Sequence, residues 1–135
     1  MERYLNREET FSKTISETDV YLFAGITGDL NPMHIDKTVA ENSMFQGRIA
    51  HGILLAGFIS NVIGMKLPGP GTIYMGQNLQ FLKPVRIGDT VTAKVSVQEI
   101  VNYEKRILRL HTQIINQDND IVVDGDALVK APKDK

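Results

Sequence analysis

The sequence predicts an α+β fold in a single domain over residues 1–135, with an antiparallel β-sheet wrapped around a long central helix. Three observations carry that prediction. Helical patterns fill the first half of the chain and strand patterns the second, so the two kinds of element are segregated rather than alternating. The stretch from Ile49 to Leu67 is apolar almost all the way round, as a helix enclosed by other structure must be. Between the halves, Leu67-Pro68-Gly69-Pro70-Gly71 is a firm break. With 135 residues, 42% of them hydrophobic, the chain can bury one core without disulfides or a structural metal.

The elements follow in order. Phe11, Lys13 and Ile15 alternate with Ser12 and Thr14 as a short strand does. Ser16-Glu17-Thr18-Asp19 then resembles a capping box, so a helix begins there, with Val20, Phe23, Ala24 and Thr27 as its inner face. Gly28 suits the left-handed residue that ends such a helix. Asn31 precedes Pro32 and is pushed into extended backbone, which makes Asp29 to Met33 a loop or turn. Asp36 is placed to cap a second short helix reaching about Glu41, and Gln46-Gly47 marks another turn.

From His51 to Met65 the pattern predicts about 22 Å of helix. Gly52, Ala56, Ser60 and Gly64 give it one stripe of small residues that lets a neighbour approach its backbone. Beyond the Pro-Gly break, Thr90 to Val101 alternates cleanly, with Val91, Ala93, Val95 and Val97 on one face. Residues Thr72 to Val85, Lys105 to Asn116 and Ile121 to Ala131 read as further strands.

Composition narrows the function. There is no cysteine, which excludes disulfide scaffolds, thiolate nucleophiles, Cys-ligated zinc and iron–sulfur clusters. Fifteen basic against sixteen acidic residues give a net charge of -1, which argues against a nucleic-acid partner. The apolar stretch from Ile49 is interrupted by His51, Ser60, Asn61 and Lys66, so no membrane span is expected. The N-terminal MERYLNREETF has no apolar core of a signal peptide, and a cytoplasmic protein is expected. No G-x-G-x-x-G, P-loop or G-x-S-x-G occurs, which argues against dinucleotide cofactors, NTPases and the usual serine hydrolases; no cofactor is expected.

The chemistry is concentrated between Gly25 and Gly52. Asp29 and His34 lie across a proline-containing loop that can bring an acid and a base to one point, the pair that proton transfer near neutral pH requires. The same residues are also ordinary turn material, with Asp and Asn capping backbone groups. Asp29, His34, Asp36 and His51 could instead supply ligands to a metal, although an EF-hand fails because His34 and Ala40 occupy the positions of its Gly and Glu. The expectation is that no metal binds. His51 reads as a cap or a satisfied core group. Gly52 falls in the first turn of the long helix, where free backbone N–H groups and the helix dipole can hold a developing oxyanion. Ser60 lies about 12 Å further along, roughly on the same stripe. His111 falls on the polar face of a strand, exposed or at an interface.

Read continuously, Tyr21-Leu22-Phe23-Ala24-Gly25-Ile26-Thr27-Gly28-Asp29-Leu30-Asn31-Pro32-Met33-His34, then Arg48-Ile49-Ala50-His51-Gly52, resembles the MaoC-like (R)-specific enoyl-CoA hydratases. The likeness continues through Gly71 to Gln77 and Pro84 to Asp89. It implies a hot-dog fold and reversible syn addition of water to a trans-2-enoyl-CoA, giving the (R)-3-hydroxyacyl-CoA. It further implies that Asp29 and His34 form the catalytic dyad, that Asn31 and Ser60 contribute to substrate binding, and that the Gly52 N–H faces the thioester oxygen. An acyl-CoA substrate and a homodimer or dimer of dimers follow from the same resemblance. Arg48, Lys83 and Arg86 flank the matching segments and are candidates for the phosphates of coenzyme A. The alternatives are a thioesterase of the same fold and a non-catalytic acyl-thioester binding module.

Overall fold

In the computed structural model, which describes residues 1–134, one six-stranded antiparallel sheet curves over one long helix. The elements are β1 (Glu8–Thr14), α1 (Glu17–Thr27), α2 (Pro32–Ile35), α3 (Lys37–Glu41), α4 (Gly52–Met65), β2 (Ile73–Gln77), β3 (Gln80–Phe81), β4 (Thr90–Asn102), β5 (Ile107–Ile115) and β6 (Ile121–Lys130). A single 3-10 turn, Glu2–Tyr4, precedes them. The strand order is β1-β4-β5-β6-β2, with β3 also paired to β6. This is the α+β hot-dog architecture.

Alternation along β4 and β5 decides which side of the sheet is wet. Val91, Ala93 and Val95 from β4, with Leu108, Leu110 and Ile114 from β5, are all buried on the concave side. Against them α4 sets Leu55, Ile59, Val62 and Ile63, the i, i+4, i+7, i+8 face of a 3.6-residue period. The opposite face of α4 is less covered than its composition predicts, since Ile53, Gly57, Ser60 and Met65 are exposed. One sheet of this curvature covers about half of a helix. Of the small-residue stripe, Ser60 is exposed and Ala56 and Gly64 are half-buried, whereas Gly52 at its start lies against Phe81; nothing lies within 4 Å of a Cβ built on Gly57 or Gly64.

Local chemistry fixes the ends of α1. The Ser16 hydroxyl accepts the Asp19 N–H at 3.0 Å, and the Asp19 carboxylate accepts the Ser16 N–H at 2.9 Å. Gly28 ends the helix at φ 79°, its N–H on the Ala24 carbonyl. Val20 and Ala24 are buried as expected, but Thr27 is exposed, because its hydroxyl turns back to the Phe23 carbonyl at 2.8 Å.

The Asp19 carboxyl is held below the ordinary carboxylate range: burial pushes it up, but the two Ser16 hydrogen bonds and the nearby Lys13 outweigh that. A carboxylate whose folded value is depressed stabilises the fold above its unfolded value and loses that contribution as pH falls through the folded one. Asp19→Asn should therefore cost about 1 kcal/mol at neutral pH, and wild type and variant should converge in acid. Urea titrations at a series of pH values check both halves of this.

Three expected boundaries move. The strand expected over Phe11 to Ile15 begins earlier, at Glu8, and Ile15 leaves the ladder to exchange backbone hydrogen bonds with Gly88 and Asp89. The loop expected over Asp29 to Met33 closes early into α2. Asn31 caps it by accepting the Met33 N–H at 3.1 Å, and Pro32 takes the first helical position, where its missing N–H costs nothing. The strand expected over Thr72 to Val85 breaks at Asn78, whose side chain accepts the Asp126 N–H while its own N–H donates to the Asp126 carbonyl. No helix among the described residues is long and apolar enough to cross a membrane.

Candidate active site

Three connections bring the chemistry-bearing residues to the N-terminal end of α4. The Thr27 hydroxyl accepts the Asp29 N–H at 3.2 Å, which starts the turn, and the Asp29 carboxylate accepts the Asn31 N–H at 3.3 Å. Asn31 then caps α2, which carries His34 inward until it is only 9% exposed. Ahead of α4, the extended segment 48–51 is held on both sides, by Ile49 N–H to the Met33 carbonyl and Ala50 N–H to the Val85 carbonyl.

Asp29, His34 and His51 meet there, each offering a donor atom within 4.8 Å of the others. The Nδ1–H of His34 donates to the Ile49 carbonyl at 2.7 Å, which fixes the ring and leaves Nε2 as an acceptor when the ring is neutral. Asp29 keeps its side chain exposed, so its carboxylate is available to a water or a ligand. The expectation for His51 needs correcting. It occupies the N-cap position of α4 without capping it, and its Nδ1 is buried with no partner.

The convergence of three potential ligands raises a metal again, and the ring geometry opposes it. His34 spends Nδ1 and His51 spends Nε2 on backbone carbonyls. The two rings stack 3.8 Å apart and 26° from parallel. The in-plane lone pairs of the two remaining nitrogens therefore run in nearly parallel planes instead of meeting on one ion. Asp36, the fourth candidate, caps α3 by accepting the Val39 N–H at 3.1 Å.

A cavity of ≈ 400 Å³ opens beside His34 and Gly52, walled mainly by apolar groups including Phe45, Phe81, Leu82 and Val85. Gly52 is the first residue of α4, where an N–H has no intrahelical acceptor. A Cβ on Gly52 would lie 2.5 Å from Cε1 of Phe81, so the aromatic wall depends on glycine at this point. Phe45 and Phe81 carried no signal in the sequence, because only the folded chain brings the turn that holds Phe45 and the strand β3 that holds Phe81 against α4.

Of the other candidates, only Lys83 borders this cavity. Ser60 lies on the exposed face of α4, and the Asn31 side-chain oxygen is engaged by its helix cap. Arg48 pairs with Glu17 at 3.4 Å and donates to the Tyr21 hydroxyl at 2.5 Å. Arg86 donates twice to the Phe45 carbonyl. Lys83 alone of the three cations borders the cavity, its ammonium 3.4 Å from Asp120. His111 is less exposed than its strand position suggests, because Asp124 Oδ1 lies 2.9 Å from its Nε2.

A curved antiparallel sheet on one long helix, with an acid and a base at that helix's N-terminal end, is the arrangement of a hot-dog protein with a candidate acid–base site. The MaoC like domain profile matches residues 5–118, and the chain belongs to the MaoC-like family. It is 50% identical over 123 residues to an (R)-specific enoyl-CoA hydratase of Rhodospirillum rubrum, spanning 91% of this chain and 84% of that one. It is also 50% identical over 125 residues to a 3-hydroxybutyryl-CoA dehydratase of Methylorubrum extorquens, spanning 93% of this chain and 78% of that one. Among solved structures, the (R)-hydratase from Aeromonas caviae superposes with a TM-score of 0.92 at 40% identity, covering 95% of this chain and 96% of that one.

Proposed function

We propose that this chain, acting as one domain over residues 1–135, is a cytoplasmic (R)-specific enoyl-CoA hydratase. It adds water reversibly to a trans-2-enoyl-CoA to give the (R)-3-hydroxyacyl-CoA. The observation that carries this reading is the position of His34 and Gly52 on one largely apolar cavity, with the Asp29 carboxylate beside His34. The names of the relatives at 50% identity support the substrate class.

The enoyl chain lies in the cavity with its thioester oxygen at the Gly52 N–H and its β-carbon towards the dyad. One water sits between His34 Nε2 and the Asp29 carboxylate. As its oxygen bonds to the β-carbon, the C2–C3 π electrons shift towards the thioester oxygen, and the dyad takes one proton from the water. The enolate then collapses as C2 takes a proton from the dyad. The water's hydroxyl and proton are both accounted for, and syn addition follows because one pair of groups serves one face of the alkene. A single donor at the developing oxyanion, here the Gly52 N–H, is worth about 2.7–4 kcal/mol in the transition state.

A homodimer fits this reading. β2 is an edge strand with Ile73, Tyr74 and Met75 exposed, and the face of α4 that carries Ile53, Gly57 and Ser60 is also exposed. The enoyl-thioester absorbance of crotonyl-CoA should fall when purified protein is added, with no free thiol released. Thiol release with the alkene intact would point to the thioesterase alternative, and an unchanged spectrum would contradict catalysis on this substrate.

A further inference from the structure

We propose that His51 is a positioning residue for the dyad, an inference that rests on the hydratase reading. His51 is 2% exposed; its ring stacks on His34 with centroids 3.8 Å apart and lies tilted by 56° against Phe23 at 4.8 Å. Its Nε2–H donates to the backbone carbonyl of Asp29 at 3.0 Å. That bond ties the turn that presents the acid to the N-terminus of α4, across 22 residues of sequence.

Packing alone does not account for a histidine here. An apolar ring would fill the same space without burying Nδ1 unpartnered, and an unsatisfied buried polar atom lowers stability. What the imidazole adds is one N–H directed at Asp29 and one flat face directed at His34. The short stretch 49–52 thereby sets the whole site. The Ile49 carbonyl orients the base, His51 holds the backbone of the acid, and Gly52 supplies the free N–H. Displacement of a catalytic group by about 1 Å can cost on the order of 100-fold in rate.

The test compares His51→Phe, which keeps a flat ring and loses the N–H, with His51→Gln, which keeps a donor at the reach of Nε2 and loses the ring. With crotonyl-CoA, His51→Phe should lower kcat about 10- to 100-fold with KM changed less than about threefold, and His51→Gln should recover part of the loss. Imidazole nitrogen spectra of the wild-type protein supply a readout independent of activity: His51 should carry its proton on Nε2 and His34 on Nδ1. The proposal is overturned if both variants keep wild-type kcat and lose only thermal stability, or if the His51 proton is on Nδ1. A wild-type protein without hydratase activity would instead overturn the hydratase reading, and the tautomers would still decide whether His51 holds Asp29. Should His51→Phe not fold, the kcat of His51→Gln and the wild-type tautomers decide.

Discussion

His34→Ala and Asp29→Asn should each lower the hydration rate of crotonyl-CoA by about 1,000-fold, which is about 4 kcal/mol of transition-state stabilisation. The expectation follows from what each change removes. Without the His34 ring, the Ile49 carbonyl loses its donor and the water loses its acceptor. Asp29→Asn keeps the shape of the turn, including an oxygen for the Asn31 N–H, and removes only the charge and the site for a proton. Because the two groups act as a unit, the double variant should be little worse than either single one. Steady-state rates of the four proteins check this. A binding module would show no such dependence.

The largest effect on stability is expected from the smallest possible change, Gly125→Ala. A Cβ at that point in β6 would lie 2.0 Å from the backbone oxygen of Asn78, far inside any real contact. The obstacle is backbone, so it cannot swing aside as a flexible side chain would. Asn78 would have to move, breaking its two bonds with Asp126 and disturbing Gln77, whose amide donates to both the Asn78 carbonyl and the buried Thr112 hydroxyl. Overpacking together with lost hydrogen bonds should cost about 3 kcal/mol. Gly25→Ala is the control. It lies inside α1 with nothing within 4 Å of the added carbon, and should stabilise by about 0.5–1 kcal/mol. Thermal or urea denaturation of the pair reads both signs.

The contrast between these two glycines shows which parts of the molecule were legible in the sequence. Features that depend on a few neighbouring residues could be read directly: the Ser16–Asp19 capping box, the left-handed Gly28, the Asp36 cap, and the alternation that sends Val91, Ala93 and Val95 inward. The closing of α2 was local too. Asn31 takes the extended backbone that its place before Pro32 predicts, which is also the backbone of an N-cap, and only the extent of the loop through Met33 differs from the expectation. By contrast, the break at Asn78 depends on Asp126 and Gly125, almost fifty residues away, and no local pattern announces it.

The site divides in the same way. Asp29, His34 and Gly52 stood out by residue type and spacing, and the fold brings them to one end of α4. The aromatic wall of Phe45 and Phe81, the hold of Ile49 on His34 and the reach of His51 to Asp29 are tertiary contacts. Ser60 shows the limit from the other side. Periodicity placed it on a stripe with Gly52, but which way that stripe faces is decided by the sheet.

The most direct test is the reverse reaction with each enantiomer of 3-hydroxybutyryl-CoA, followed by the appearance of enoyl-thioester absorbance. The account predicts that the (R) ester is dehydrated until equilibrium is reached, that the (S) ester is left intact, and that Asp29→Asn slows the signal by about 1,000-fold. Equal turnover of both enantiomers, or full activity in Asp29→Asn, would contradict it.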